Sequence, residues 1–247
     1  MSRSARVTAG ALAIFAVALG ALVGCSSNPS PGSSTAPPSA SASAAGTAVV
    51  GAAWLDAGKG TAVVSMGSST CPPKAGDTSA SGQTVTVEFS LPSGKTACTA
   101  DYAPRASYVA LPAGVDPTKE LQIVAKGALS GTVKLAALSS MPPAGGDNAP
   151  SAGWIEGAGS GSDVPSGSFA FATWGSSTCP PSVASVSATG AAAVVVQLAA
   201  PADAACTMDM VPRAGLTAVP ATVTADAVKV AFLGAGAAGT TDMLGTR

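Results

Sequence analysis

Gly67-Ser68-Ser69-Thr70-Cys71-Pro72-Pro73 recurs without change as Gly175-Ser176-Ser177-Thr178-Cys179-Pro180-Pro181. A seven-residue identity of this kind decides the fold reading, because it indicates one structural unit written twice. Downstream, Cys98-Thr99-Ala100-Asp101-Tyr102-Ala103-Pro104-Arg105 returns as Cys206-Thr207-Met208-Asp209-Met210-Val211-Pro212-Arg213, so the two cysteines stand 27 residues apart in both copies. Upstream, Ala52-Ala53-Trp54-Leu55-Asp56 matches Ala152-Gly153-Trp154-Ile155-Glu156, and further on Leu111-Pro112 matches Val219-Pro220. These landmarks keep one order, which establishes a duplication.

Between the landmarks lie short β-branched runs bounded by Gly, Pro or Ser. Val85–Leu91, Val194–Leu198, Thr61–Met66, Phe169–Trp174, Ser107–Leu111, Leu121–Val124 and Val228–Phe232 all read as strands. No window carries a capped amphipathic helical pattern, and Gly and Pro interrupt the alanine-rich stretches. The expected fold is all-β: two tandem units, each a β-sandwich or small barrel of about six strands containing a disulfide. The first unit is placed at 47–139 and the second at 151–247, joined by the Pro/Gly-rich linker 140–150. A hairpin opens each unit after its Trp-containing landmark, with a longer loop (Gly157 to Gly167) in the second.

Of five cysteines, Cys71, Cys98, Cys179 and Cys206 belong to the repeats. Four thiols allow three pairings; the equal spacing favours Cys71 with Cys98 and Cys179 with Cys206. A loop of this length is stabilised by roughly 3.5 kcal/mol in the chain-entropy model. There is no close C-x-x-C for redox chemistry.

The fifth cysteine lies at the end of a different pattern. Arg3 and Arg6 precede the uncharged apolar stretch Ala11–Val23, which is too short to span a bilayer as a helix but fits the hydrophobic part of an export signal. Leu22-Val23-Gly24-Cys25 follows, and this resembles the lipobox of bacterial lipoproteins. The resemblance implies removal of the signal peptide 1–24, a lipid on the sulfur of Cys25, and attachment to the extracellular face of the cell membrane. The tandem pattern with its small-residue, Pro-rich character is also similar to uncharacterised exported lipoproteins of high-GC Gram-positive bacteria, which carry no known activity. From Ser26 to Gly46 the chain is nearly all Ser, Ala, Pro and Gly, so 25–46 reads as the lipidated Cys followed by a disordered tether.

Composition excludes several functions. There is no His, which removes Ser-His-Asp and Cys-His mechanisms and His-ligated metals. Twelve basic against thirteen acidic side chains give a net charge of -1, without the basic excess that nucleic-acid binding uses. The acids are scattered without calcium-loop spacing, so no metal or cofactor is expected. Gly-Ser-Ser-Thr lacks the G-x-S-x-G spacing of a nucleophile elbow and reads as a turn leading into the disulfide.

The remaining candidates are recurrent. Asp101 with Arg105, and Asp209 with Arg213, fall within reach of one ion pair per unit, at a turn closing a strand, serving structure or a ligand. Trp54, Trp154 and Trp174 read as core anchors or as platforms for a sugar ring. The functional expectation is a lipid-anchored, non-enzymatic surface protein whose duplicated domain binds an envelope protein, peptide or glycan. The alternatives are a spacer without a ligand and, further off, a hydrolase using paired carboxylates.

Overall fold

A computed structural model describes residues 47–93, 97–143, 145–157, 164–202 and 205–247. Cys25, the signal and the tether lie outside the described residues. The first copy forms β1 (Thr47–Leu55), β2 (Gly60–Gly67), β3 (Lys74–Ser81), β4 (Thr84–Ser90), β5 (Ala103–Ala110), β6 (Leu121–Gly127) and β7 (Leu129–Leu135). The second forms β8 (Ser151–Trp154), β9 (Ser168–Gly175), β10 (Ser182–Gly190), β11 (Ala193–Ala199), β12 (Val211–Ala218), β13 (Lys229–Leu233) and β14 (Gly239–Leu244). The fold is all-β, and the one short helical turn among the described residues, Asp56–Gly58, joins β1 to β2.

Each copy makes one seven-stranded sheet, ordered β3-β4-β6-β7-β1-β2-β5 and β10-β11-β13-β14-β8-β9-β12. The second order is the first with every strand number raised by seven, so the duplication extends from sequence to topology. In both, β1 and β8 pair parallel with the last strand of the copy, while β4 and β11 pair parallel with β6 and β13. The opening hairpins β1–β2 and β8–β9 are antiparallel, as the sequence indicates.

The core of each sheet follows the period of two that side chains adopt along a strand. Val85, Val87 and Phe89 of β4 point inward with Leu121, Ile123 and Ala125 of β6; Val194, Val196 and Leu198 of β11 do so with Val230 and Phe232 of β13. Trp54 and Trp154 are buried at the centres of these cores. The Trp54 indole donates to the Ala136 carbonyl at 2.8 Å, whereas Trp154 lies beneath the Arg247 guanidinium, 5.3 Å from the ring centre.

Four strands break the alternation. Gly51–Leu55, Gly60–Met66, Ser151–Trp154 and Ser168–Thr173 are buried at every position, the mark of strands covered on both faces. One face of β1 and β2 meets its own core, and the other meets β8 and β9. Ala53, Leu55 and Ala62 of the first copy form a buried layer with Ala170 and Ala172 of the second. Alanine lets the sheets approach closely, and Gly153 lets backbone touch backbone: a Cβ there would lie 2.0 Å from the Trp54 carbonyl oxygen. Nearby, Ala52 and Glu156 exchange two backbone hydrogen bonds of 3.0 and 2.7 Å. The two sheets therefore belong to one compact body.

The sequence underestimates the strand number. β3 and β10 are edge strands rich in Ser, Ala, Gly and Thr with little buried side chain, and β7 and β14 carry Gly or Thr where apolar alternation would be diagnostic. The Pro-Arg segment also differs from the expectation. It opens a strand rather than closing one: Pro104 and Pro212 are the second residues of β5 and β12, edge strands on which a missing N–H is tolerated.

Candidate functional site

Both repeated motifs converge on a stapled loop at one end of each sheet. Cys71 is bonded to Cys98 and Cys179 to Cys206. Around the first bond, the Thr70 hydroxyl accepts from the Thr99 backbone N–H at 3.0 Å and donates to the Ala97 carbonyl at 3.3 Å. The Asp101 carboxylate accepts from the Ser69 backbone N–H at 2.9 Å, from the Ser69 hydroxyl at 3.2 Å and from the Thr99 hydroxyl. The second loop repeats the design with Thr178, Thr207, Ser177 and Asp209, where the Ser177 N–H donates to Asp209 at 3.1 Å. The Gly-Ser-Ser-Thr residues are thus donors and acceptors that lock the loop. The two carboxylates titrate accordingly. Asp101 is held well below the usual range, first by the Ser69 N–H and then by Thr99. Asp209 is lowered to about 2, first by the Ser177 side chain and then by Thr207.

The arginines divide the copies. Arg105 pairs with Asp101 at 2.8 Å and donates through Nε to the Ser68 carbonyl at 3.2 Å. Arg213 turns away from Asp209 and donates to the Trp174 carbonyl at 2.8 Å and the Cys179 carbonyl at 3.0 Å. Its guanidinium covers Gly175, where a Cβ would lie 2.8 Å from the central carbon; burial lowers its pKa. The expected ion pair therefore forms in the first copy and not in the second.

A second difference lies two residue pairs further along these strands. In the first copy Val63 on β2 faces Ser107 on β5, and the Ser107 hydroxyl donates to the Pro73 carbonyl at 2.6 Å. That bond draws the edge strand β5 onto the segment entering β3, the opposite edge. In the second copy the register positions hold Phe171 on β9 and Gly215 on β12. The Phe171 ring occupies the place a side chain would take, since a Cβ on Gly215 would come within 2.3 Å of it. No hydroxyl at this position reaches Pro181, and a groove of about 540 Å³ lies alongside, reaching Phe171, Val183 and Leu216. The first copy supplies the facing wall from Pro104 to Ala106, with Ser69 and Pro72 at one end; Pro180 and Pro181 supply the rim of the second.

Other residues singled out by sequence serve the junction between copies. Trp54 and Trp154 are core residues. Trp174 meets Tyr108 edge to face across the copies, with ring centres 6.2 Å apart. The Tyr108 hydroxyl donates to Asp56 at 3.1 Å; burial first, and the adjacent Asp56 second, push this phenol well above its ordinary value. Glu156 accepts from the Ala136 N–H at 2.7 Å and the Thr246 N–H at 3.3 Å, tying the end of β7 to the chain beyond β14. Phe171, Gly215 and Leu216, central to the groove, carry no motif. Their only sequence signal is the exchange of Val63 and Ser107 for a large residue and a small one, visible once the copies are aligned on their arginines.

Among the described residues no three acidic or Cys side chains cluster as metal ligands. Comparison with family models, with curated proteins and with solved structures gave no match.

Proposed function

We propose that the chain is an exported, lipid-anchored, non-enzymatic binding protein. In this reading Cys25 carries the lipid, 26–46 is the tether, and each sheet with its disulfide is a small barrel-like unit. The groove between β5 and β12 then takes an extended apolar peptide segment of an envelope protein. The observation that carries the reading is the groove itself, lined by both copies and reaching Phe171 and Gly215, and the proposal is that this pair opens it. Its lining is mostly Pro, Ala, Val, Leu and Phe, with Ser69, Arg105 and Ser182 as its polar members, and suits apolar side chains in a preformed cleft. A peptide is preferred to a glycan because Trp54 and Trp154, the aromatic surfaces best suited to stack on a sugar, are buried. Two disulfides accord with an oxidising compartment outside the cytoplasm.

A photo-crosslinking amino acid at Ser182, an exposed groove residue, tests the binding step in intact cells. The reading expects an envelope-protein adduct that a crosslinker at Lys134, on another part of the surface, does not give. Equal labelling from both positions, or none from Ser182, would favour the spacer reading. The anchor is tested separately: Cys25→Ala should release the protein from the membrane fraction or leave an uncleaved precursor.

A further inference from the structure

We infer that a cavity at the junction of the two copies, separate from the β5–β12 groove, binds the ammonium end of a short primary alkylamine. Asp56 of the first copy and Ser151 and Asp242 of the second would hold the charge. The inference does not depend on the peptide reading above, since the two sites share no lining residue.

Strand register brings the three groups together. In β8, Ala152 and Trp154 point into the core of the second copy, so Ser151 and Gly153 stand on the opposite face. That face meets the first copy, as the closeness of Gly153 to the Trp54 backbone shows. β14 runs parallel beside β8, with Met243 next to Ala152 and Leu244 next to Gly153, which sets Asp242 next to Ser151 one step back. Leu244, on the same face as Asp242, packs on the core of the first copy. Asp56, at the turn after β1, closes the cavity from the first copy, and Pro142 and Pro150 of the linker wall it, leaving a volume of about 170 Å³.

Two observations distinguish this cavity from a packing gap. Ser151 is 6% exposed, and its hydroxyl has no hydrogen-bond partner in the protein. A buried hydroxyl left in that state costs stability that a ligand would restore. The other observation is a comparison within the duplication. Glu156, which matches Asp56, engages its carboxylate with the Ala136 and Thr246 N–H groups. Asp56 accepts at Oδ2 from the Tyr108 hydroxyl, and among the described residues no second donor reaches it, so an oxygen remains for a ligand. Its backbone is held at φ 49°, a left-handed conformation uncommon outside Gly, Asn and Asp.

The lining selects the ligand. Two carboxylates and, among the described residues, no basic side chain line the cavity; Lys229, which donates to Asp242 at 2.6 Å, lies outside the lining. This field disfavours an anion. Among the described residues there is no third acid to complete a metal shell. An ammonium offers three donors, which match Asp56, Asp242 and the Ser151 oxygen once that hydroxyl turns about χ1 toward the ligand. Pro142, Pro150 and Leu244 suit the alkyl chain. A dry cavity of roughly 150 Å³ holds a benzene molecule, so the ligand has roughly six non-hydrogen atoms.

The test is saturation-transfer NMR on the full chain in non-ionic detergent, with detergent alone as the blank and n-pentylamine as the probe. The inference expects saturable transfer to the alkyl protons of the amine. It expects n-pentanol, of the same length without the charge, to bind at least about tenfold more weakly. Asp56→Asn keeps an acceptor for Tyr108 and tolerates the left-handed backbone, and should weaken the amine about tenfold. Ser151→Ala should weaken it about threefold and leave the melting temperature unchanged or higher, because the hydroxyl removed is unpartnered. A lowered melting temperature in Ser151→Ala with amine binding intact would make that hydroxyl structural and overturn the proposal. Equal binding of alcohol and amine, or no saturable transfer from the amine, would overturn it too. So would undiminished amine binding in both variants when their near-ultraviolet circular dichroism matches that of the parent.

Discussion

Val63 faces Ser107 in the first copy, and Phe171 faces Gly215 at the same register in the second. In the first pair the Ser107 hydroxyl donates to the Pro73 carbonyl; in the second the Phe171 ring lies against Gly215, beside the groove. Strand order, disulfide and locked loop are otherwise shared. The copies also differ at their arginines, one paired with a carboxylate and the other with two carbonyls. A duplication thus retains strand order, disulfide and locked loop, and diverges at a pair whose larger member, Val63 or Phe171, sits in its own unit's core.

The largest effect should come from a feature the copies share. Replacing Cys98 or Cys206 by Ser should lower stability by about 2–5 kcal/mol. Because Ala53 and Ala62 pack on Ala170 and Ala172, either change should weaken both copies in one cooperative unfolding transition. Urea unfolding followed by Trp fluorescence would show this, and two separate transitions would mean that the copies are independent.

The next largest effect tests the divergent pair. Gly215→Ser should cost about 1–3 kcal/mol by crowding Phe171, and Phe171→Val about 2 kcal/mol by leaving a cavity. Together they should lose less than the sum, with a coupling of about 1–2 kcal/mol. Additive losses in denaturant midpoints would show that the two positions do not share the space.

A smaller contrast is expected at the arginines. Arg213→Met leaves the Trp174 and Cys179 carbonyls without their donor and should lower stability by about 1–3 kcal/mol. Arg105→Met removes a more exposed pair and should cost less, as chemical unfolding of the two variants side by side would reveal.

Acid should produce the smallest effect. Asp101 and Asp209 have folded pKa values below the ordinary 3.8, so their contribution is complete above about pH 4 and is lost as pH falls. For Asp209 the loss runs down through about pH 2, and for Asp101 it continues lower. Melting temperature measured from pH 5 to pH 2 should fall less steeply in Asp209→Asn than in the parent.

Much of this arrangement is legible in the sequence because local chemistry determines it. The seven-residue repeat and equal cysteine spacing give two copies and their disulfide pairing, and β-branched runs give the buried strands. Trp54 and Trp154 are identifiable as core anchors among few aromatics. What stays hidden depends on non-local register. β3 and β10 bury too little to leave an apolar signature, so edge strands go uncounted. The alanines that join the copies read as low complexity until β1 and β9 are seen face to face. Arg213 cannot be separated from Arg105 by a motif identical at both, since the difference arises from the Trp174 carbonyl that it reaches. The groove is recorded only as two substitutions on different strands, and neither is unusual alone.

The central claim is that divergence at this one pair opens the binding site. The most direct measurement compares envelope-protein adduct yield from the crosslinker at Ser182 in three chains: the parent, one with Phe171→Val and Gly215→Ser, and one with Val63→Phe and Ser107→Gly. Near-ultraviolet circular dichroism would establish that each is folded. The account expects closing the second copy to reduce the adduct about tenfold or more, and opening the first to leave it in place. An adduct undiminished in the folded Phe171→Val, Gly215→Ser chain would contradict the claim.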